Sequence, residues 1–116
     1  MQIVITGALG ILQGREWMFS DFEEQGPMWR GAGVRRVTRV VAFDPPFAAA
    51  PAVHAGMGMW DTDQSTNGRG DIIVEDVTAE SFSLAFQIWD DTRVARVRID
   101  WIALGPVPDP EAWQVD

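Results

Sequence analysis

Apolar and polar residues alternate along much of this chain, and the alternation predicts a series of β-strands. It is cleanest over 81–89, where one set of alternate positions is Phe82, Leu84, Phe86 and Ile88. The other set ends at Trp89 and is otherwise small or polar. Similar patterns run over 34–43, 52–60, 72–77 and 93–104. These segments are therefore expected to be strands that share one core.

Turn-forming residues separate the predicted strands. They occur at 44–46, 65–68, 78–80 and 90–91. No window in this part of the chain has the 3.6-residue period of an amphipathic helix. Strands at such short spacing predict an all-β sandwich or barrel.

The two ends of the chain have a different character. Residues 1–33 are rich in glycine, and their short apolar pieces do not follow a helical period. We expect them to form an N-terminal extension that adds an edge strand or makes an assembly contact. Residues 106–116 contain three prolines and are expected to form an extended tail, with Trp113 against the body of the domain. The intervening residues, 34–105, are the predicted sandwich.

Composition and charge exclude several classes of function. The chain has 116 residues, 47% of them hydrophobic, which is enough for one domain with its own core. Seventeen acidic residues against nine basic ones give a net charge of −8, so binding to nucleic-acid phosphates is not expected. With no cysteine and a single histidine, thiol chemistry and most metal clusters are excluded. No metal and no cofactor are predicted.

The start of the chain bears on where the protein is made. Residues 1–12 lack the basic region of a secretion signal, and no apolar run approaches the length of a membrane span. We therefore expect synthesis in the cytoplasm without a signal peptide, and no membrane insertion. Exposure outside the cell would follow release, for example on the surface of a virion or a similar particle.

The chain offers little catalytic chemistry. Its one histidine, His54, lies within a predicted strand, and no nucleophile motif accompanies it. The acidic pairs at 61/63 and 90/91 lie in turns, where aspartate usually accepts backbone hydrogen bonds. The segment after Asp61 does not fit an EF-hand loop, because Ile72 stands where that loop needs its bidentate glutamate. A looser calcium site on the first acidic pair stays open, and an enzyme is not predicted.

Two predicted loops carry the strongest candidates for binding. Arg69 has a fork of donors that can bind vicinal hydroxyls or an acidic group. Trp89 ends a strand on the side opposite its apolar set, where an indole can stack on a pyranose ring. Asp90 follows it and can accept hydrogen bonds from hydroxyls. The alternative is structural, with a Trp that covers the end of the fold and an Arg paired with a neighbouring Asp.

A set of landmarks occurs in a characteristic order between residues 35 and 105. They are Phe43, Phe47, Pro51-x-Val53, Asn67-x-Arg69, Val77-Thr78, Phe82, Trp89-x-Asp91-Thr92 and Trp101-x-Ala103-x-Gly105. In order and spacing they resemble the H-type lectin domain, known from snail agglutinins and slime-mould discoidins. The resemblance implies a six-stranded antiparallel β-sandwich that assembles as a homotrimer. It also implies sites for galactose or N-acetylgalactosamine between neighbouring subunits.

The resemblance implies roles for particular residues. Arg69 and Trp89 match the binding Arg and the stacking Trp of the family, and Asn67 belongs to the same motif as Arg69. Asp90 stands where the snail protein has a His. The family also supplies an Asp from the loop before the strand of Phe43, and the loop at 29–34 contains no acid. Trp29 and Arg30 are predicted to replace it by stacking and donation, which would suit an acidic or differently shaped saccharide.

Two functions remain open at this point. The first is a trimeric lectin, or a dimer of trimers, that binds a Gal/GalNAc-type glycan or an acidic bacterial surface polysaccharide in cell adhesion. Such a lectin would be released non-classically or carried with the structural proteins of a phage or gene-transfer particle. The second is a structural adaptor or virion protein that keeps the lectin fold and has lost sugar binding. Accessible Arg69 and Trp89 side chains would favour the lectin. An Arg69 buried in an ion pair and a Trp89 buried in the core would favour the structural adaptor.

Arginines on the polar sides of two predicted strands bear on assembly. Arg36, Arg96 and Arg98 would be solvated in a monomer. In a trimer they are expected to pair with Asp100 or Glu75 of a neighbouring copy, or to surround the three-fold axis.

Overall fold

The computed structural model describes residues 8–20 and 26–113 and shows six strands in two antiparallel sheets. The strands are β1 (Leu9–Ser20), β2 (Arg35–Ala42), β3 (Ala52–Thr62), β4 (Gly70–Glu75), β5 (Ser81–Ile88) and β6 (Val94–Pro106). A one-turn helix, α1 (Pro27–Arg30), precedes β2, and a 3-10 turn (Pro110–Trp113) follows β6. The prediction of an all-β, six-stranded antiparallel sandwich is confirmed.

Each sheet has three strands, and a late strand of the chain lies at its centre. Sheet I has the order β1-β6-β3, and sheet II has the order β2-β5-β4. In sheet II, Val41 pairs with Phe82 and Val37 with Phe86, so the apolar sets of β2 and β5 share one face. Because side chains alternate across a strand, this register turns both sets into the space between the sheets.

The core forms around β5 and β6. Phe82, Leu84, Phe86 and Ile88, the apolar set expected from the alternation, are completely buried. The remaining core side chains are Met18, Met28, Val41, Phe43, Phe47, Val94, Val97, Ile99 and Ala103. Phe82 stacks on Phe43 at 5.4 Å between ring centroids, and Trp101 meets it edge-on at 5.3 Å. Aromatic pairs in these geometries add to the free energy gained from burial alone.

Glycines allow β1 to lie close to the core. β1 pairs with β6 from Leu9↔Pro106 to Ser20↔Arg96, with one register shift between Trp17 and Phe19. A Cβ on Gly14 would lie 2.7 Å from the ring of Trp101, which is too close for any side chain. The glycine content of this region therefore belongs to a long edge strand. The apolar piece at 3–5 lies outside the described residues.

The end of the chain departs from the expectation of an extended tail. Pro110–Trp113 forms a 3-10 turn. Proline suits the first position of a helical turn, and the Asp109 carboxylate accepts a hydrogen bond from the Glu111 N–H at 3.0 Å. The turn places the Trp113 ring 4.7 Å from that of Phe47, so the expected contact with the body is present.

The outer face of sheet I carries both apolar and charged side chains. Leu9 and Ile11 of β1 are more than half exposed, and Trp17 is 50% exposed. The Arg98 guanidinium lies 5.8 Å from the centre of the Trp17 ring and donates a hydrogen bond to Asp100 at 3.0 Å. A Cβ on Gly58 would lie 2.6 Å from the Asp100 carboxylate, so this glycine permits a close approach.

The arginines expected to pair across subunits have partners in their own chain. Arg36 pairs with Glu75, and Arg96 with Asp61 at 3.5 Å. An interface built on these charges would have to exchange ion pairs that the single chain already makes.

Candidate functional site

Three loops meet at one end of the sandwich. Loop A (26–34) leads into β2, loop B (63–69) leads into β4, and loop C (89–93) joins β5 to β6. All six of the predicted binding residues lie in these loops: Trp29, Arg30, Asn67, Arg69, Trp89 and Asp90. The sequence-predicted residues therefore belong to one region of the fold, although they span 62 positions of the chain.

Strand register brings the loops together. Ile88, the last residue of β5, pairs with Arg35 at the start of β2 and with Gly70 at the start of β4. Trp89 and Arg69 lie one residue beyond these pairs, at the same end of neighbouring strands. Ile88 points into the core, so Trp89 projects away from it, and its side chain is 36% exposed.

Arg69 contacts the acidic residues of loop C. Its Nη1 atom lies 3.3 Å from Asp91 Oδ1 and 3.9 Å from Asp90 Oδ2. The Arg69 side chain is 38% exposed, and both aspartates are more exposed still. Asp90 has a positive φ of 62°, a conformation that aspartate tolerates better than most residues. The arginine is therefore paired with a neighbouring aspartate and still accessible.

Thr92 connects loops B and C and is completely buried. Its Oγ1 accepts a hydrogen bond from the Arg69 backbone N–H at 3.1 Å and donates one to the Asn67 carbonyl at 2.8 Å. One hydroxyl thus fixes the backbone on both sides of Gly68. The sequence pattern includes Thr92 only as a landmark, because the partners of a hydroxyl are not visible from spacing.

Replacement of Thr92 by Val is expected to lower the free energy of unfolding by about 1–3 kcal/mol, because it removes the buried hydroxyl that pairs with the Arg69 N–H and the Asn67 carbonyl. Urea unfolding measures the change. The control is Thr38→Val, at an exposed threonine of β2, where a change within about 0.5 kcal/mol is expected. A loss below about 1 kcal/mol for Thr92→Val would show that the hydroxyl is not needed to hold the two loops.

Arg35 connects loops A and C. It is only 8% exposed, and its guanidinium donates to Gly33 O at 3.1 Å, Pro27 O at 3.3 Å and Asp90 O at 3.1 Å. The Gly33 N–H also donates to Asp90 O at 3.1 Å. Burial, and secondarily the nearby charge of Arg93, lowers the pKa of Arg35 from its ordinary value. Three carbonyl acceptors nevertheless suit a cation with donors on every nitrogen.

The sequence reasoning missed Arg35, although the pattern held a signal. Arg35 occupies the same alternate set of β2 as Val37 and Val41, where a charged side chain is unusual. Trp29 is half-buried and Arg30 exposed, and both lie on α1, whose first carbonyl accepts from Arg35. Loop A thus reaches loop C through residues that follow the helix.

The two carboxylates considered for calcium are engaged within the chain. Asp61 pairs with Arg96 at 3.5 Å. Asp63 Oδ1 accepts hydrogen bonds from the Ser65 hydroxyl at 2.6 Å and from the Ser65 N–H at 2.8 Å. The described residues contain no group of three or more His, Asp or Glu side chains that could hold a metal ion. The proposed calcium site gains no support from this arrangement.

The Ser65 hydrogen bonds, together with Arg93, hold the pKa of Asp63 below its ordinary value. A carboxyl whose pKa is lower in the folded state stabilises the fold above its unfolded-state pKa, about 4, and loses that effect as the pH falls below it. Wild type is therefore expected to be more stable than Asp63→Ala at pH 6, and the difference should shrink below pH 4. Urea unfolding at both pH values measures it. A difference independent of pH would contradict the role of the carboxylate.

Comparison with known proteins agrees with this architecture. A sequence model of the H-type lectin domain matches residues 38–104, within three residues at each end of the range 35–105 in which the resemblance is predicted. Two structures of discoidin II from Dictyostelium discoideum have the same fold, with TM-scores of 0.75 and 0.74 and 21% identity in each case. They match 90% and 89% of this chain, which spans 40% and 39% of the discoidin chains.

A relative of known sequence covers almost the whole chain. "ATP synthase subunits region ORF 7" of Fuscovulum blasticum is 46% identical over 112 residues, 97% of each protein. No helix in the ranges 8–20 and 26–113 is long and apolar enough to cross a membrane. The match to the domain model spans more than half of the chain, and the fold agrees with that of the discoidin II structures. The chain belongs to the H-type lectin domain family.

Proposed function

We propose that this protein is a lectin whose carbohydrate site lies on the three-loop end of the sandwich. The observation that carries the proposal is that Arg69 and Trp89 project side by side from neighbouring strands and both remain more than a third exposed. A structural adaptor without a ligand has no need for a large indole and a guanidinium at the open end of the fold. The family and the fold support carbohydrate binding, and they point to a protein that is not an enzyme.

The proposed chemistry follows from the three side chains. The Trp89 indole offers an apolar plane for the C–H face of a pyranose. Arg69 has donors left beside its contact with Asp91 and can bind vicinal hydroxyls. Asp90 has an exposed carboxylate that accepts hydroxyl hydrogen bonds, and Asn67 lies in loop B together with Arg69. The two carboxylates near Arg69 reduce the local positive charge, which favours a neutral Gal/GalNAc-type sugar here over an acidic one.

We propose that the site is completed in a homotrimer, or in a dimer of trimers. Exposed Leu9 and Ile11, at the opposite end of β1 from Trp17, support assembly, because neighbouring apolar side chains of this size are usually covered. In the proposed trimer, Trp29 and Arg30 of a neighbouring copy reach the sugar bound by Arg69 and Trp89. Three sites on one trimer that bind together give an overall affinity well above the weak affinity of each site for a single sugar.

The proposal also includes a biological setting for the lectin. Display on a phage or gene-transfer particle after release from the cytoplasm, with bacterial surface polysaccharide as the target, fits a multivalent adhesion protein. Association with a purified particle would test this separately from sugar binding. If an assembled wild-type protein binds no glycan, the adaptor that has lost sugar binding becomes the better description.

The test is a glycan array that includes Gal/GalNAc glycans and bacterial polysaccharides, followed by titration of the best ligand. Light scattering first establishes the mass of the assembly. Arg69→Gln is expected to weaken the affinity by about 10-fold or more, because hydrogen bonds from a charged group contribute about 1.5–3 kcal/mol.

Arg36→Gln is the matched control, because the wild-type Arg36 side chain is 39% exposed and is likewise engaged in an ion pair. It should leave the affinity unchanged. Equal affinities of wild type and Arg69→Gln would contradict the proposed site. Binding that also survives Trp29→Ala and Arg30→Ala would show that loop A does not contribute to it.

A further inference from the structure

A second pocket lies away from the three-loop end, where the edges of the two sheets meet. It has a volume of about 430 Å³ and is lined by Trp17, Phe19, Arg39 and Arg96. This volume is within the range of small-ligand sites. β1 and β2 are the edge strands on this side of the sandwich, and the pocket lies between them. None of its residues belongs to the predicted sugar site.

The apolar part of the pocket combines a fixed ring with an exposed one. Phe19 packs toward the core, with its ring centroid 6.1 Å from that of Phe86. Trp17 is half exposed, and the Arg98 guanidinium lies over its ring at 5.8 Å from the centroid. The guanidinium restrains the indole, and the exposed half of Trp17 presents apolar surface to solvent at a low cost in side-chain freedom.

The charged part of the pocket is positive, in a chain whose net charge is −8. Arg96 pairs with Asp61 and Arg98 with Asp100. Arg39 donates one hydrogen bond, from Nη2 to the Met18 carbonyl at 3.0 Å, which fixes its guanidinium between the sheets. The ion pairs found among the described residues do not include Arg39. Among the described residues, three guanidinium groups in or beside the pocket are therefore balanced by two carboxylates.

We propose that this pocket binds a carboxylate-bearing saccharide, such as a uronic acid residue of an acidic polysaccharide. The sugar ring stacks on Trp17, and the carboxylate lies between the guanidinium groups of Arg39 and Arg96. Guanidinium donors match carboxylate geometry, and the unpaired charge of Arg39 gives the acid an advantage over the neutral sugar. The proposal is independent of the three-loop site, since it uses another part of the surface and another sugar chemistry.

The experiment compares methyl glucuronide with methyl glucoside, which differ in the carboxylate alone, on the full-length wild-type protein. Titration followed by ¹⁵N NMR reports on the Trp17 indole N–H, which is assigned with a Trp17→Phe variant. We expect the glucuronide to shift the Trp17 signal and to bind at least about 10-fold more tightly than the glucoside. Arg39→Gln and Trp17→Ala should each weaken it by about 10-fold or more.

Controls separate this site from the three-loop site and from simple anion binding. Arg15→Gln, at an exposed arginine of β1 that does not line the pocket, and Trp89→Ala should leave the glucuronide affinity unchanged. If Arg39→Gln is poorly folded, Arg96→Gln tests the same contact from the opposite side. Equal binding of both glycosides, binding of acetate with the same affinity, or loss of binding in Trp89→Ala but not in Trp17→Ala would each overturn the proposal.

Discussion

Arg35→Met is expected to lower the free energy of unfolding by about 3–4 kcal/mol and to release loop A from loop C. The variant keeps most of the aliphatic packing of Arg35 and removes the guanidinium. The carbonyls of Pro27, Gly33 and Asp90 then lose their shared donor, which is itself buried in the wild type. Sugar binding should weaken as well, because Asp90 and the helix that carries Trp29 lose their common anchor.

Urea unfolding measures the stability of this variant, and amide exchange of Gly33 measures the release of loop A. The Gly33 N–H bonds to Asp90 O, so its exchange should accelerate when the loops separate. Arg35→Lys is the informative control, because it keeps the charge and cannot span three carbonyls, and an intermediate loss is expected. Unchanged exchange at Gly33 would show that Arg35 does not hold the loops together.

Trp89→Ala is expected to weaken glycan binding by about 30-fold or more, which corresponds to about 2 kcal/mol or more. Aromatic side chains contribute most of the binding energy where they cover a ligand surface and exclude water from it. Trp89 lies outside the core cluster, so the free energy of unfolding should change much less than the affinity.

Isothermal titration with the best ligand from the array measures the effect of this substitution. Trp89→Phe keeps an aromatic plane and should recover part of the affinity, which a purely structural role at the end of β5 would not predict. If Trp89→Ala binds as well as wild type while Arg69→Gln does not, the sugar contacts the guanidinium without stacking on the indole.

Much of the fold could be predicted because it depends on local alternation. The set Phe82, Leu84, Phe86 and Ile88 has period two, bulky side chains and turn residues at both ends, so strand and buried face follow directly. β1 is harder to predict, because its glycines interrupt the alternation of apolar and polar residues. The structure gives the reason for one of them, since Gly14 lies against the ring of Trp101. Their meaning depends on a partner strand at the other end of the chain.

The site could be predicted only where residues carry their own chemistry. Arg69 and Trp89 are recognisable as candidate binding side chains, and their loops meet because Ile88 pairs with strands on both sides. Arg35 and Thr92 act through backbone carbonyls and amides, whose positions depend on the fold and not on residue type. The pocket at Trp17 and Arg39 is likewise formed by strands from different sheets, which spacing along the chain does not reveal.

The pairing of β1 with β6 has a consequence for the order of folding. Leu9 and its partner Pro106 lie far apart in the chain, so sheet I gains its edge strand only after β6 has been synthesised. Contacts this distant in sequence carry a high entropic cost of loop closure and form slowly. Sheet II, whose strands all precede Trp89, can pair earlier. We therefore expect a folding intermediate with sheet II formed and β1 unpaired, in which the apolar residues of β1 are open to chaperones or to another copy.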